Sequence, residues 1–345
     1  MGLPFKDIVT AQELPWSTLA GRSVAVDAYN ALYQFLATIR QADGQPFSDP
    51  DGRPTSHLMG SFYRTTALLK EGVHPVWVFD GRPPERKAGT IRHRIDAKEK
   101  AEGEWKAALD SGDLETARRK AAQTSRLTRP MVDETVKLLD ALGVPTVQAP
   151  SEGEAQAARM AAEGIVWGAA SEDYDSLLFG APRLVRGLAA RRSRNGTDSA
   201  HLVDRDALLR ELGISGEELI LMGILVGTDF NDGVRGIGPK KALKLAQEHL
   251  GWDATVARAG LDPNEAAEVA EIFRHPDTIA APEPEFRPPD PDRVDEVLVR
   301  GHGFSEERVH SALARIGRLP VAHPPAMVTS RGKQTMLEGF GGSAG

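Results

Sequence analysis

Short apolar runs that each stop at an acid mark the first half of the chain. Ser23-Val24-Ala25-Val26 ends at Asp27, and Pro75-Val76-Trp77-Val78-Phe79 ends at Asp80. Ile165-Val166-Trp167-Gly168-Ala169-Ala170 runs into Ser171-Glu172-Asp173-Tyr174-Asp175. Near-continuous apolar runs of this length predict strands buried on both faces of a parallel sheet. Between them the period changes. His57 to Glu71 and Met131 to Leu142 are amphipathic at helical spacing, the second closed by Gly143. Alternating strand and helix signals predict an α/β domain. Ligands in such sheets gather at the carboxyl ends of the strands. Three strands that each deliver a carboxylate there mark a site.

Residues 86–129 carry no strand signal and read as one or two polar helices, broken around Ser111-Gly112-Asp113. A polar insertion between core strands predicts an exposed arch or lid; a peripheral helical hairpin that only packs is the alternative. Residues 190–200 read as a loop. From Glu217 to about Phe273 the pattern is helical, interrupted at 231–239. Residues 276–291 are Pro-rich and extended, and after Leu319 the composition turns to Pro, Ser and Gly, the mark of a flexible tail. No internal repeat is visible.

Composition narrows the chemistry. The 345 residues are 41% hydrophobic and 26% charged, which excludes a disordered or fibrous chain. No run approaches the ~20 apolar residues of a membrane span. The N-terminal MGLPFKDIVTAQELPW has no apolar signal core, so a cytoplasmic location is expected. Cysteine is absent, which removes disulfides, thiolate metal sites and cysteine nucleophiles. The net charge of −7 is uneven: residues 82–129 hold 13 Lys+Arg against 8 Asp+Glu, a local +5, and the remainder carries −12. The basic segment suits an anionic partner, although for a charge run taken alone a solvated helical face with its own ion pairs is the better explanation. The acidic remainder suits a cation.

Glu152 and Glu154 lie in Pro150-Ser151-Glu152-Gly153-Glu154, where Ser151 and Glu154 have the spacing of a capping box. That accounts for Glu154, but not for Glu152, nor for Asp173 and Asp175 after a strand. Asp229 follows the apolar stretch Leu219 to Gly227. Seven acids at element ends cannot converge without a cation, because like charges at short range force protonation. Oxygen ligands without sulfur point to Mg²⁺ or Mn²⁺, and two such ions about 3.5–4 Å apart are the usual machinery of phosphodiester hydrolysis. Four residues past Asp229, Gly233-Val234-Arg235-Gly236-Ile237-Gly238 is a Gly-rich turn that opens a helix at Pro239, with Lys240 and Lys241 placed to reach a phosphate backbone. Near the C-terminus, Gln334, Leu337 and Phe340 form a short pattern suited to folding on a partner.

Taken together, VAVDAYNALYQFL, TSHLMGSFYRT, VWVFDGRPPERK, VQAPSEGEAQAA, SEDYDSLLFGAPRLVR, LVGTDFNDGVRGIGPKKAL and KQTMLEGF resemble the flap endonuclease family of structure-specific 5′ nucleases, over residues 1 to about 340. The resemblance implies a twisted, mostly parallel sheet between helical layers, a helical arch, and a helix-two-turn-helix at about 231–250. It implies one nuclease domain over 1–319, with an N-terminal region at about 1–98, the arch at about 86–129 and an internal region at about 116–258, followed by a tail at 320–345. The activity implied is Mg²⁺-dependent 5′ flap endonuclease and 5′–3′ exonuclease action on flap and nicked DNA, in replication (Okazaki fragment maturation) and repair. Its metal acids fall on Asp27, Asp80, Glu152, Glu154, Asp173, Asp175 and Asp229, for two Mg²⁺ or Mn²⁺. Its catalytic basic residues fall on Lys87 and Arg94. Tyr33 falls on a base-stacking aromatic, with core packing of its helix as the competing reading, and Arg64 on a DNA-contacting arginine. Gly233, Gly236, Gly238, Lys240 and Lys241 fall on the duplex grip, which also holds K⁺. Gln334, Leu337 and Phe340 fall on the sliding-clamp box; Gly341 stands where a second aromatic is usual. A monomer is implied, nuclear in a eukaryotic-type member and cytoplasmic in an archaeal one.

Overall fold

The structure is a computed structural model that describes residues 3–188 and 199–316. The chain begins β1 (Gln12–Pro15), β2 (Ser23–Asp27), α1 (Ala28–Thr38), α2 (Ser56–Lys70), β3 (His74–Phe79), α3 (Ala88–Asp110), α4 (Leu114–Ala121), α5 (Arg129–Ala141) and β4 (Thr146–Gln148). It continues α6 (Gly153–Ala162), β5 (Gly168–Ala170), α7 (Asp175–Leu178), β6 (Arg183–Arg186), β7 (Ser199–Asp204), α8 (Arg205–Leu212) and α9 (Gly216–Val226). Then come α10 (Pro239–Ala246), α11 (Trp252–Ala259), α12 (Pro263–Arg274), α13 (Pro291–Asp295) and α14 (Glu306–Leu313).

The strands form one sheet in the order β1-β7-β6-β5-β2-β3-β4. The five strands from β6 to β4 are parallel; β7 runs antiparallel to β6, and β1 to β7. Alternation along the central strands sorts their side chains to two faces. Val24, Val26, Trp77 and Phe79 pack with Leu32, Phe35, Leu58, Phe62, Leu138 and Leu139 of α1, α2 and α5. Ala25, Val76 and Val78 face Ala157, Ala158 and Met160 of α6. Every residue of β3 is buried, as a strand covered on both faces requires. Each large side chain in these layers contributes roughly 1.5–3 kcal/mol by leaving water. A further apolar cluster joins β6 and β7 to α7–α12. Within it α9 is buried almost all round, and it starts at a capping box between Ser215 and Glu218.

The expected α/β architecture is present, with local corrections. The third acid-ending strand covers only Gly168–Ala170. Ile165 and Val166 instead donate to the Met160 carbonyl and close α6, so their apolarity serves a helix end. The 190–200 loop gives way to β7 at Ser199; most of it, with Gln334, Leu337, Phe340 and the whole 320–345 tail, lies outside the described residues. The polar insertion is α3 and α4, broken at Ser111–Gly112 as expected. In α3, 23 residues long, only Ala101 and Ala108 are buried. Among the described residues no helix is long and apolar enough to cross a membrane.

Candidate metal centre and nucleic-acid interface

The order of the sheet brings the acids together. The chain leaves β2 for β3 and β4 on one side, then returns to β5 and β6 on the other, so β2 lies where the strand order reverses. The carboxyl ends of parallel strands around such a point form a crevice. Asp27 ends β2 and caps α1, accepting from the Asn30 amide at 3.0 Å. Asp80 follows β3 and accepts from the Gly153 amide at 2.9 Å. Glu152 is the N-cap of α6, Glu154 lies in its first turn, Asp173 follows β5 and Asp175 starts α7. Asp229 follows α9. A Cβ at Gly153 would meet the Asp80 Oδ1 at 2.6 Å and the Val78 carbonyl at 3.2 Å, so a larger residue there would displace the Asp80 carboxylate.

The capping-box reading of Ser151 and Glu154 is overturned. Glu152, not Ser151, caps α6, and no side-chain cap bond forms. The Glu154 Oε1 instead accepts from the Ser171 hydroxyl at 2.8 Å, facing the other acids. The spacing misled because Pro150 and Ser151 meet a different need: their carbonyls accept the Arg82 and Gly81 amides, tying this turn to the loop after β3.

Electrostatics shows what the crevice lacks. Burial, with Asp80 adjacent, pushes the Asp27 carboxyl up to about 8. Burial and then Glu152 push Asp80 up to about 6, and burial and then Asp173 push Asp175 up to about 7. Glu154 rises well above the carboxylate range through burial and Asp175. Two cations answer this charge from the start of the arch. The Lys87 Nζ pairs with Glu152 and lies 3.3 Å from the Asp229 Oδ2. The Arg94 Nη2 donates to the Asp229 Oδ1 at 2.6 Å. Burial would lower the Lys87 pKa, yet Glu152 and Asp229 outweigh it and raise it. Seven carboxylates, four of them held above the usual carboxylate range by burial and by one another, with two cationic side chains beside them, fit divalent metal ions. By contrast, Asp295, Glu306 and His310, whose donor atoms lie within 4.8 Å of one another, form a more open group in which His310 pairs with Asp295 at 2.7 Å.

The remaining candidates lie on α1, on α2 and in the turn that follows Asp229. Tyr33 on α1 is 37% exposed, which overturns core packing as its role. The Lys98 Nζ of α3 sits 4.5 Å above its ring. The Arg64 guanidinium of α2 lies 5.1 Å from the Trp16 ring. In the turn after Asp229, Gly233 has φ 72° and packs so tightly on the end of α9 that a Cβ would meet the Val226 carbonyl at 2.5 Å. Gly236 also has positive φ, and Gly238 caps α10 ahead of Pro239. Lys240 and Lys241 are exposed there, and the Lys241 Nζ donates to the Gly236 carbonyl at 2.8 Å. Thr90, Asn30 and Ser171 were not anticipated. The Thr90 hydroxyl donates to the Asp229 carbonyl at 2.8 Å, fixing the first turn of α3 beside the acids. Only their nearness in sequence to Lys87, Asp27 and Asp173 could have singled them out.

Two family models match the chain, the XPG N-terminal domain over residues 5–101 and the XPG I-region over 143–229. A curated relative, flap endonuclease 1 of Aeropyrum pernix, is 47% identical over 332 residues, 92% of this chain and 95% of the relative. Among solved structures, flap endonuclease-1 from Methanococcus jannaschii superposes with a TM-score of 0.74 at 37% identity, over 92% of this chain and 98% of that one. The catalytic core of Rad2 in complex with DNA substrate shares the fold, with a TM-score of 0.70 at 23% identity over 92% of this chain and all of that one. An identity near one half that extends along almost the whole of both chains leaves one conclusion: this chain belongs to the flap endonuclease family of structure-specific nucleases.

Proposed function

We propose that Asp27, Asp80, Glu152, Glu154, Asp173, Asp175 and Asp229 hold two Mg²⁺ ions, replaceable by Mn²⁺. The chain then cuts a 5′ flap where single-stranded DNA meets duplex, and trims 5′ ends, in replication and repair. The supporting observation is the cluster of buried, mutually repelling carboxylates at one sheet edge. Divalent cations supply an activated water at neutral pH and positive charge for the departing 3′ oxygen. No nucleophilic side chain is then needed, and the product carries a 5′-phosphate.

The chain's own residues do the rest. Lys87 and Arg94 are long side chains on a base fixed by Thr90, so each can swing from a carboxylate to the scissile phosphate without moving the backbone. Their charge then faces the oxygens on which charge develops. Tyr33 offers a base its ring face once Lys98 withdraws, and Arg64 contacts the strand. The Gly233–Lys241 turn grips the duplex backbone through Lys240, Lys241 and the amides opening α10, and its backbone carbonyls would hold a K⁺. Recognition is by shape, because a junction bends at little cost. Gln334, Leu337 and Phe340 bind a sliding clamp; without a second aromatic the affinity is about micromolar. The enzyme acts as a monomer.

A labelled 5′-flap duplex tests the reading. The expected result is a Mg²⁺-dependent cut near the junction that leaves a 5′-phosphate. Tight binding of the flap without any cleavage in Mg²⁺ or Mn²⁺ would make the chain a junction-binding scaffold instead. Deleting residues 330–345 is expected to leave this cleavage intact and to abolish stimulation by the clamp. Stimulation that survives the deletion would place the clamp contact elsewhere.

A further inference from the structure

Three of the seven acids reach the site from different elements and are joined by two neutral side chains. The Ser171 Oγ lies 2.8 Å from the Glu154 Oε1 and 3.3 Å from the Asp27 Oδ2, and it accepts the Asp173 amide at 3.2 Å. Asn30 works from the other side. Its Nδ2 donates to the Asp173 Oδ2 at 3.1 Å, its Oδ1 accepts the Glu172 amide at 3.3 Å, and its own amide donates to the Asp27 Oδ1. The result is a closed ring of hydrogen bonds through Asp27, Ser171, Asp173 and Asn30, which joins the end of β2 to the loop after β5, with Glu154 of α6 attached to it through Ser171. Ser171 is 6% exposed, so water does not compete freely for its hydroxyl.

We infer that Ser171 and Asn30 are positioning residues that hold Asp27, Glu154 and Asp173 in the arrangement that binds the catalytic cations. The inference rests on the reading of the seven acids as the cation site. The torsion that turns each carboxylate, χ2 in Asp27 and Asp173 and χ3 in Glu154, has only broad preferences, and mutual repulsion drives the three apart. A hydroxyl shared by two of them, and an amide that bonds the third while its other end is anchored to the backbone, fix their directions before a cation arrives. Partners behind the ligands of a metal are worth about 10–100-fold in its affinity.

The test is calorimetric titration of Mn²⁺ into the full-length chain without DNA, alongside the Mg²⁺ dependence of flap cleavage. Ser171→Ala and Asn30→Ala are each expected to weaken Mn²⁺ binding about 10–100-fold. They are expected to raise the Mg²⁺ concentration for half-maximal cleavage in parallel, with most of the rate recovered at saturating Mg²⁺. Flap-DNA affinity measured without divalent ions stays at the parent value. Ser171→Thr, which keeps the hydroxyl, restores Mn²⁺ affinity close to the parent. A parent chain that takes up no Mn²⁺ overturns the assignment of the seven acids, and this inference with it. Mn²⁺ uptake that both alanine variants leave unchanged, or a threonine variant as weak as the alanine one, overturns the positioning role alone.

Discussion

The acid crevice and the arch above it are both dense in charge, but burial gives that charge opposite meanings. In the crevice, carboxylates from neighbouring parallel strands and adjoining helix starts are withdrawn from water and raise one another's pKa. In the arch, Glu102 pairs with Lys106, Glu104 with Lys120 and Arg126 with Glu102, all close to solvent. Hydrogen bonds from Lys106 and Lys120 hold Glu102 and Glu104 below their usual values. Exposed pairs of this kind are screened and add little to stability. The crevice stores unfavourable electrostatics, whereas the arch keeps its charges paired with one another close to water. Lys87 and Arg94 join the two: they begin the arch, yet their charge is spent on crevice acids.

The contrast can be broken by mutation. The largest effect is expected from Asp80→Ala or Asp175→Ala. Cleavage should fall to about one-thousandth or less, equivalent to about 4 kcal/mol in the barrier, while flap-DNA binding persists through contacts made elsewhere. Near-normal Mg²⁺-dependent rates in both variants would remove the metal assignment.

Next come Lys87→Ala and Arg94→Ala. Single-turnover rates should drop about 100–1,000-fold, with DNA affinity changed only a few-fold. Lost affinity at an intact rate would make them ordinary arch contacts.

A smaller, opposite effect is expected on stability. Asp27, Asp80 and Asp175 titrate above the 3.8 of an ordinary aspartate, so the metal-free folded chain holds more protons than the unfolded one. The stability they contribute is whole below about pH 4 and is lost as pH rises through about 6 to 8. Asp175→Asn keeps an oxygen for the Leu3 amide, which Asp175 bonds at 3.2 Å, and removes a repelling charge. It should raise the Tm of the metal-free chain by a few degrees at pH 8 and by less at pH 5. An unchanged or lower Tm at pH 8 would show that the repulsion is relieved without a cation.

The smallest effect belongs to the arch. Lys120→Ala, which removes the pair with Glu104, should leave Tm unchanged within about 1 °C. A larger drop would mean the arch depends on its ion pairs.

What could be read from the sequence follows the same division. The strands ending at Asp27 and Asp80 are legible because their apolar runs are short, rich in β-branched and aromatic residues, and stop at an acid. The arch is legible because α3 has too few apolar positions to be anything but exposed. Glu154 was misread because a capping box is defined by local spacing, whereas the residue's partner, Ser171, comes from the loop after a different strand. Ser171 and Asn30 were missed for a related reason: a neutral side chain shows its role only when the sheet brings its acids alongside. Ile165 and Val166 read as strand because a helix-closing apolar pair and a strand start look alike without the hydrogen bonds.

If the strand-end carboxylates form a site that a divalent cation completes, that cation must stabilise the folded chain. The most direct measurement is thermal unfolding of the parent chain with and without Mg²⁺, at about pH 5.5 and pH 8.5. At the lower pH protons already neutralise Asp27 and Asp175 and much of Asp80, and a cation has to displace them. At the higher pH the carboxylates are free, and binding stabilises the folded state in proportion to occupancy. Tm is expected to rise clearly with Mg²⁺ at pH 8.5 and much less at pH 5.5. An equal rise at both values, or none at pH 8.5, would contradict it.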